Sequence, residues 1–160
     1  MNTVLVDDEW LAVTLPEGFV QMPHEEIESM MGFKYEQLRG MRDTSRHMLM
    51  SVTWKDSGKF LSKLAAPKVI IKQVDKNFAR RGRKSGYRSE GFLTREVAGA
   101  SSQAHGFRFS YAADGVAQEG EVWVFKRDVR CYTICYYTSS AEAAANRPVW
   151  EGIMSSLEVR

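Results

Sequence analysis

Between residues 47 and 54 the chain alternates: Met48, Met50, Val52 and Trp54 interleave with His47, Leu49, Ser51 and Thr53. A period of two places the first set on one face of a β-strand. The segment "KYEQLRGMR" reads as a strand before it, joined through Asp43-Thr44-Ser45, and "KDSGK" ends the pair. The same period recurs later. Phe107, Phe109 and Tyr111 alternate with Arg108 and Ser110, while Trp123 and Phe125 face one way and Val122 and Val124 the other. "GYRSEGFLTREVAG", "AHGFRFSYAA", "EGEVWVFKR" and "VRCYTICYYT" thus read as a four-strand meander, with Asp114-Gly115 and Arg127-Asp128 at its turns.

Elsewhere the period changes to that of a helix. Ile70, Ile71, Val74 and Phe78 predict a long helix over 67–81, started by Pro67 and stopped by Gly82. "MPHEEIESMMG" predicts a short helix. Pro23 suits its first position, Glu25 and Glu26 favour its positive end, and Ile27, Met30 and Met31 form the buried stripe. A last helix is expected from about Ser140, burying Trp150, Ile153, Met154 and Leu157, with a kink or restart at Pro148. "EWLAVTLPEGF" opens the chain with a strand and a Pro16-Glu17-Gly18 turn. Strand, helix, two strands, long helix, meander and final helix predict a single α+β domain over residues 1–160 with one mainly antiparallel sheet.

Composition agrees with a globular chain: of 160 residues, 44% are hydrophobic and 26% charged. "MNTVLVDDEW" has no basic start and only a brief apolar run, unlike a secretory signal, and no stretch approaches the ~18 apolar residues of a membrane span. A cytoplasmic protein is expected. Cys131 and Cys135 lie four apart on one strand, about 13 Å by strand geometry, which is beyond disulfide reach. Both read as small apolar groups in a core.

The net charge of +2 conceals a polarised chain. Residues 1–36 carry eight acidic groups against Lys34, a net of −7; residues 37–95 sum to +11, and the remainder to −2. The densest cationic run is "FARRGRKSGYR". With the helix before it, Lys72, Lys76, Arg80, Arg81, Arg83, Lys84 and Arg88 form the candidate binding surface, and Asp75 is the one acid among them. Three readings stand side by side. Arg80 and Arg81 suit the negative end of a helix, which makes the run a solvated helix end. A basic ridge can also meet an acidic protein, or phosphates of a nucleic acid. Phe78 and Tyr87 are its local aromatics, a thin stacking platform for bases. The acidic first third can also fold against the ridge and neutralise it.

The opening "LAVTLPEGF", the central "GYRSEGFLTREVAGASSQAHGFRFSYAADG" and the closing "RPVWEGIMSSLEV" resemble the Mog1/PsbP-like superfamily. They correspond to its first strand and Pro-x-Gly-aromatic turn, its paired strands with alternating aromatics, and its last helix ending in Ser-Leu. The resemblance covers about half of the chain. It implies an α/β/α sandwich with a mainly antiparallel sheet of about six to seven strands. It also implies a mostly non-enzymatic role, since that superfamily includes a small-GTPase-binding protein, photosystem extrinsic subunits and bacterial chaperones for secreted effectors. The basic central stretch sets the sequence apart from eukaryotic members, so a small bacterial member is expected.

Catalytic patterns are missing from the sequence. "GRKSG" lacks the spacing of a P-loop and follows a helix rather than a strand. Ser101-Ser102 is no nucleophile elbow. His24, His47 and His105 have no neighbours at metal-ligand spacing, and Glu25, Glu26 and Glu28 are explained by their place in the first turns of a helix. No catalytic, cofactor-binding or metal-binding residue is therefore assigned and no cofactor is expected. The expectation is a non-enzymatic interaction module, adaptor or chaperone-like, whose partner is another protein. Phosphate or nucleic-acid binding through residues 72–88, or small-ligand sensing in a pocket between sheet and helix, are the alternatives. Met22, Met30, Met31, Met41, Met48 and Met50 fill gaps in a core or, where exposed, line a groove for apolar partners.

Overall fold

A computed structural model describes residues 1–57 and 66–160. Its frame is an eight-stranded antiparallel sheet. In chain order its strands are β3 (Val20–Gln21), β4 (Leu38–Asp43), β5 (Met48–Asp56), β6 (Arg88–Ser89), β7 (Leu93–Arg95), β8 (Ala104–Ala113), β9 (Val116–Arg127) and β10 (Arg130–Ser139). Across the sheet they run β3-β4-β5-β10-β9-β8-β6, and β7 also pairs with β8. The meander 104–139 forms as the alternation predicts. Its β8–β9 turn has Asp114 at φ 52° and Gly115 at φ 78°, the left-handed pair that a two-residue hairpin needs. β10 crosses back to lie against β5, so the early strand pair and the meander join in the middle of the sheet. The expected end of β5 at "KDSGK" is seen as far as Asp56 and Ser57; Gly58 and Lys59 lie outside the described residues.

Each face of the sheet buries one half of the alternation. Met48, Met50, Val52, Trp54, Trp123, Phe125, Tyr132 and Ile134 form one core with α3 (Ala143–Ser155), which contributes Trp150, Ile153 and Met154. Phe107, Phe109, Val122, Val124 and Cys135 form the other with α2 (Pro67–Arg81), whose Ile70, Ile71, Val74 and Phe78 turn inward. Beside α2 on that second face, α1 (His24–Met31) seats Ile27 against Leu38 with Leu49 nearby. The sandwich that the resemblance implies is therefore present.

Four details differ from expectation. A second sheet of three strands, β1 (Asn2–Leu5), β2 (Leu11–Leu15) and β11 (Glu158–Val159), shares the layer of α3. Its β1 and β11 are too short to carry a readable period. The main sheet has eight strands rather than six or seven because β3, β6 and β7 are pairings of two or three residues on the strands beside them. Pro23 is the N-cap of α1 rather than its first residue, and of the stripe Ile27, Met30 and Met31 only Ile27 is fully buried, with Met30 57% exposed. Finally, α3 begins with a 3-10 turn, Ser140–Glu142, and then runs through Pro148.

Candidate binding surface

"FARRGRKSGYR" folds as a helix end followed by a tight return. The N–H of Gly82 donates to the carbonyl of Phe78 at 2.8 Å, Arg83–Ser85 make a 3-10 turn, and Gly86 takes the left-handed conformation. A side chain at position 82 would strike Tyr87 Cβ at 2.6 Å, so glycine lets the chain fold back on itself. The return lays Tyr87 edge-on to Phe78 and stacked on Phe109. Its hydroxyl donates to Asp75 at 2.9 Å. Burial, reinforced by Asp75, raises the Tyr87 phenol well above its ordinary range. Both local aromatics are thus committed to packing, and the one acid of the stretch is tied to a tyrosine.

The cations remain at the surface. Lys72, Lys76, Arg80, Arg81, Arg83 and Lys84 are exposed, and among the described residues none of them makes an ion pair. Arg80 donates to Asn77, and the Arg81 guanidinium lies 5.8 Å from the Phe78 ring centre. Five of the eight acids in the first third are engaged elsewhere, and among the described residues none of the eight pairs with the ridge. Asp7 and Glu9 pair with Arg130, Asp8 with Arg39, Glu26 with Arg42, and Glu28 approaches His24. The ridge is consequently not neutralised by the N-terminal acids.

Arg88 stands apart from the other six. It is on β6 opposite Ser110, so its side chain belongs to the far face of the sheet, where it lines a cavity with Arg108 and Arg147. Alternation explains this. Tyr87 points toward α2, so the next residue of an extended chain points away.

At its C-terminal end the ridge meets a cleft of about 550 Å³ between α1 and α2. Met30, Met31, Leu49, Tyr111 and Tyr137 supply most of its apolar wall, and Arg81 borders it. Burial pushes the Tyr111 and Tyr137 phenols above their usual range. Four of the six crowded methionines, Met22, Met41, Met48 and Met50, fill core as gap-fillers, whereas Met30 and Met31 form a rim. From sequence, Tyr111 and Tyr137 read mostly as sheet core, with tyrosines at a sheet edge able to line a pocket, and here they do. Their sign was the tail of each alternating run, where Tyr111 and Tyr137 continue the α2-facing period beyond the reach of the helix.

Histidines and thiols lie apart from this surface or are occupied. His24 is 3.5 Å from Glu28, and His47 on the cleft rim contacts Glu142. Among the described residues no group of three or more His, Cys, Asp or Glu could hold a metal. Cys131 and Cys135 are both free, and burial pushes the Cys135 thiol up to about 11. Among the described residues no helix is long and apolar enough to cross a membrane.

Comparison with known proteins defines the class by its architecture: the fold is Mog1/PsbP-like. The cyanobacterial PsbP (CyanoP) of Synechocystis sp. PCC 6803 superposes with a TM-score of 0.71 at 13% identity, covering 99% of this chain and 92% of that one. LpqN of Mycobacterium tuberculosis, described as involved in cell envelope biogenesis, gives 0.58 at 11% identity over 93% of this chain and 82% of its own. PA94 of Pseudomonas aeruginosa, a protein of unknown function, gives 0.55 at 11% identity over 100% and 97%. No family model matches the chain, and no curated protein does.

Proposed function

We propose that this protein works by binding rather than by catalysis, as an interaction module for an acidic segment of another protein. The segment lies along α2, its carboxylates on Lys72, Lys76 and Arg80, and places apolar side chains in the cleft behind Arg81. One observation supports this reading above the others: a line of cations without ion-pair partners among the described residues leads into an apolar cleft, and Arg81 belongs to both. Charge complementarity steers such a partner, and the desolvated apolar anchor supplies most of the affinity. A nucleic acid fits less well, because Phe78 and Tyr87 are packed and offer bases no platform.

The test compares capture by the wild type, by Lys72→Glu/Lys76→Glu/Arg80→Glu, and by Met30→Glu. Every changed side chain is exposed, so folding is retained. A defined protein held by the wild type at physiological salt and lost from both variants is the expected result. Equal recovery by all three refutes the reading. Nucleic acid released by salt in place of a protein assigns the ridge to phosphates instead.

A further inference from the structure

The cavity that receives Arg88 lies on the face of the sheet opposite α2, where β6, β8, β9 and β10 meet the start of α3. Its volume is about 320 Å³, at the low end of the roughly 300–1,000 Å³ typical of small-molecule sites. The lining follows from register. Arg108 pairs with Glu121, Ser110 with Glu119, and these with Tyr136 and Thr138, so all six side chains share one face. Arg147 on the second turn of α3 closes it from above.

Two features mark this cavity as a site rather than a gap. The first is a pair of buried polar atoms, Tyr136 Oη and Arg108 Nε, that have no hydrogen-bond partner among the described residues. Tyr136 is only 5% exposed, and its ring is held by stacking on Trp150 at 4.6 Å. Burial pushes its phenol up to about 12, and the Thr138 hydroxyl beside it pulls the other way without reaching hydrogen-bond geometry. Arg108 Nε is 3.5 Å from Glu121 Oε2, an ion-pair distance without a hydrogen bond, while Glu121 Oε1 accepts from the Trp123 indole. Buried polar groups are normally satisfied, and each one left over is costly.

The second feature is charge held apart. Arg88 and Arg147 line the cavity with Glu90 and Glu119, and among the described residues none of these four makes an ion pair. Arg88, Glu90 and Arg147 reach solvent, so a molecule that carries both signs can enter and bridge these opposite charges. A bare anion would face the two carboxylates uncompensated, and a bare cation the two guanidiniums.

We propose that this cavity binds a small zwitterion, a free amino acid or a dipeptide. The ligand carboxylate lies on Arg88 and Arg147, its ammonium on Glu90 and Glu119, and Tyr136 Oη and Arg108 Nε donate to its oxygens. This site is separate from the α2 surface and does not depend on the partner proposed there.

The test is thermal unfolding of the full chain with individual amino acids and glycyl dipeptides, and with inorganic phosphate and putrescine as single-sign controls. At least one zwitterion is expected to raise Tm in a saturable way, with neither control matching it. Exposed Arg147→Gln should weaken that ligand by roughly tenfold or more. Tyr136→Phe keeps the stack on Trp150, so it should leave the ligand-free Tm unchanged or higher and weaken binding severalfold. A panel in which no zwitterion raises Tm overturns the proposal. So does phosphate or putrescine acting as strongly, or unchanged affinity in both variants.

Discussion

Arg130 Nη1 donates to Asp7 Oδ2 at 2.8 Å across 123 residues of sequence, with both side chains at most 8% exposed. The pair ties the small sheet to the central strand of the large one. Asp7 Oδ1 takes the backbone N–H groups of Trp10 and Leu11, each at 2.9 Å, and Oδ2 also takes the Tyr132 hydroxyl at 2.6 Å. Arg130 completes its own set with Asp56, and its guanidinium lies 4.5 Å from the Trp10 ring centre. Every strong donor and acceptor here has its counterpart, the condition under which buried charges are tolerated.

Removing one member should be costly. Asp7→Asn keeps the shape but leaves Arg130 without its buried counter-charge, and destabilisation of about 3 kcal/mol is expected. Urea unfolding measures it. A change under 1 kcal/mol would show that Asp56 and Glu9 suffice to hold Arg130.

Acid should act through the same carboxylate. Burial alone would raise the Asp7 carboxyl, but hydrogen bonds from Tyr132, Leu11, Arg130 and Trp10 together outweigh it and bring it to about 2 from 3.8. A depressed value means that the folded state holds its proton less tightly than the unfolded chain. The stabilisation, about 2 kcal/mol, is complete above about pH 5 and is lost progressively as pH falls to about 2 and below. Asp43 and Asp56 are lowered as well, so they add to the loss with the same sign. Asp7→Asn should show a shallower acid limb than the wild type in stability measured between pH 5 and 2.

Gly40→Ala tests the seat of α1. A Cβ there would come within 2.7 Å of Ile27 Cγ1 and 3.0 Å of Ile27 Cβ, too close for a rotamer change alone to relieve. Overpacking of about 1–3 kcal/mol is expected, along with displacement of α1 and its Met30–Met31 rim. Faster amide exchange in 24–31 than in α2 would locate the damage.

The Cys135 thiol should be inert. Burial raises it to about 11, so almost none is thiolate at neutral pH. A thiol reagent at pH 8 should leave Cys135 unmodified in the folded protein and modify it in urea. Rapid labelling of the native protein would mean that the α2 face opens easily.

Much of the fold could be read from local pattern. The interval 67–81 was bounded by Pro67 and Gly82, and the meander was written in strict alternation with a left-handed Asp-Gly turn. The site was only partly legible. A run of cations is visible in any sequence, but whether the acidic first third covers it depends on where each acid finds its partner, and those partners are Arg39, Arg42 and Arg130. Arg88, read as part of the ridge, is carried to the other side of the sheet by a one-residue change of phase.

The sequence by itself determined the longer elements, the side of most of them that seeks the core, and the cationic character of α2, because periodicity and end signals act within a few residues. Only the tertiary structure decided which elements became neighbours. β10 returned to β5, β1 found β2 and β11, and residues far apart in the chain became the walls of two cavities. The reason is physical. An alternating strand specifies a face but not the strand beside it. Partner choice is settled by packing and charge pairing over the whole chain, and contacts such as Asp7–Arg130 leave no local mark in the sequence.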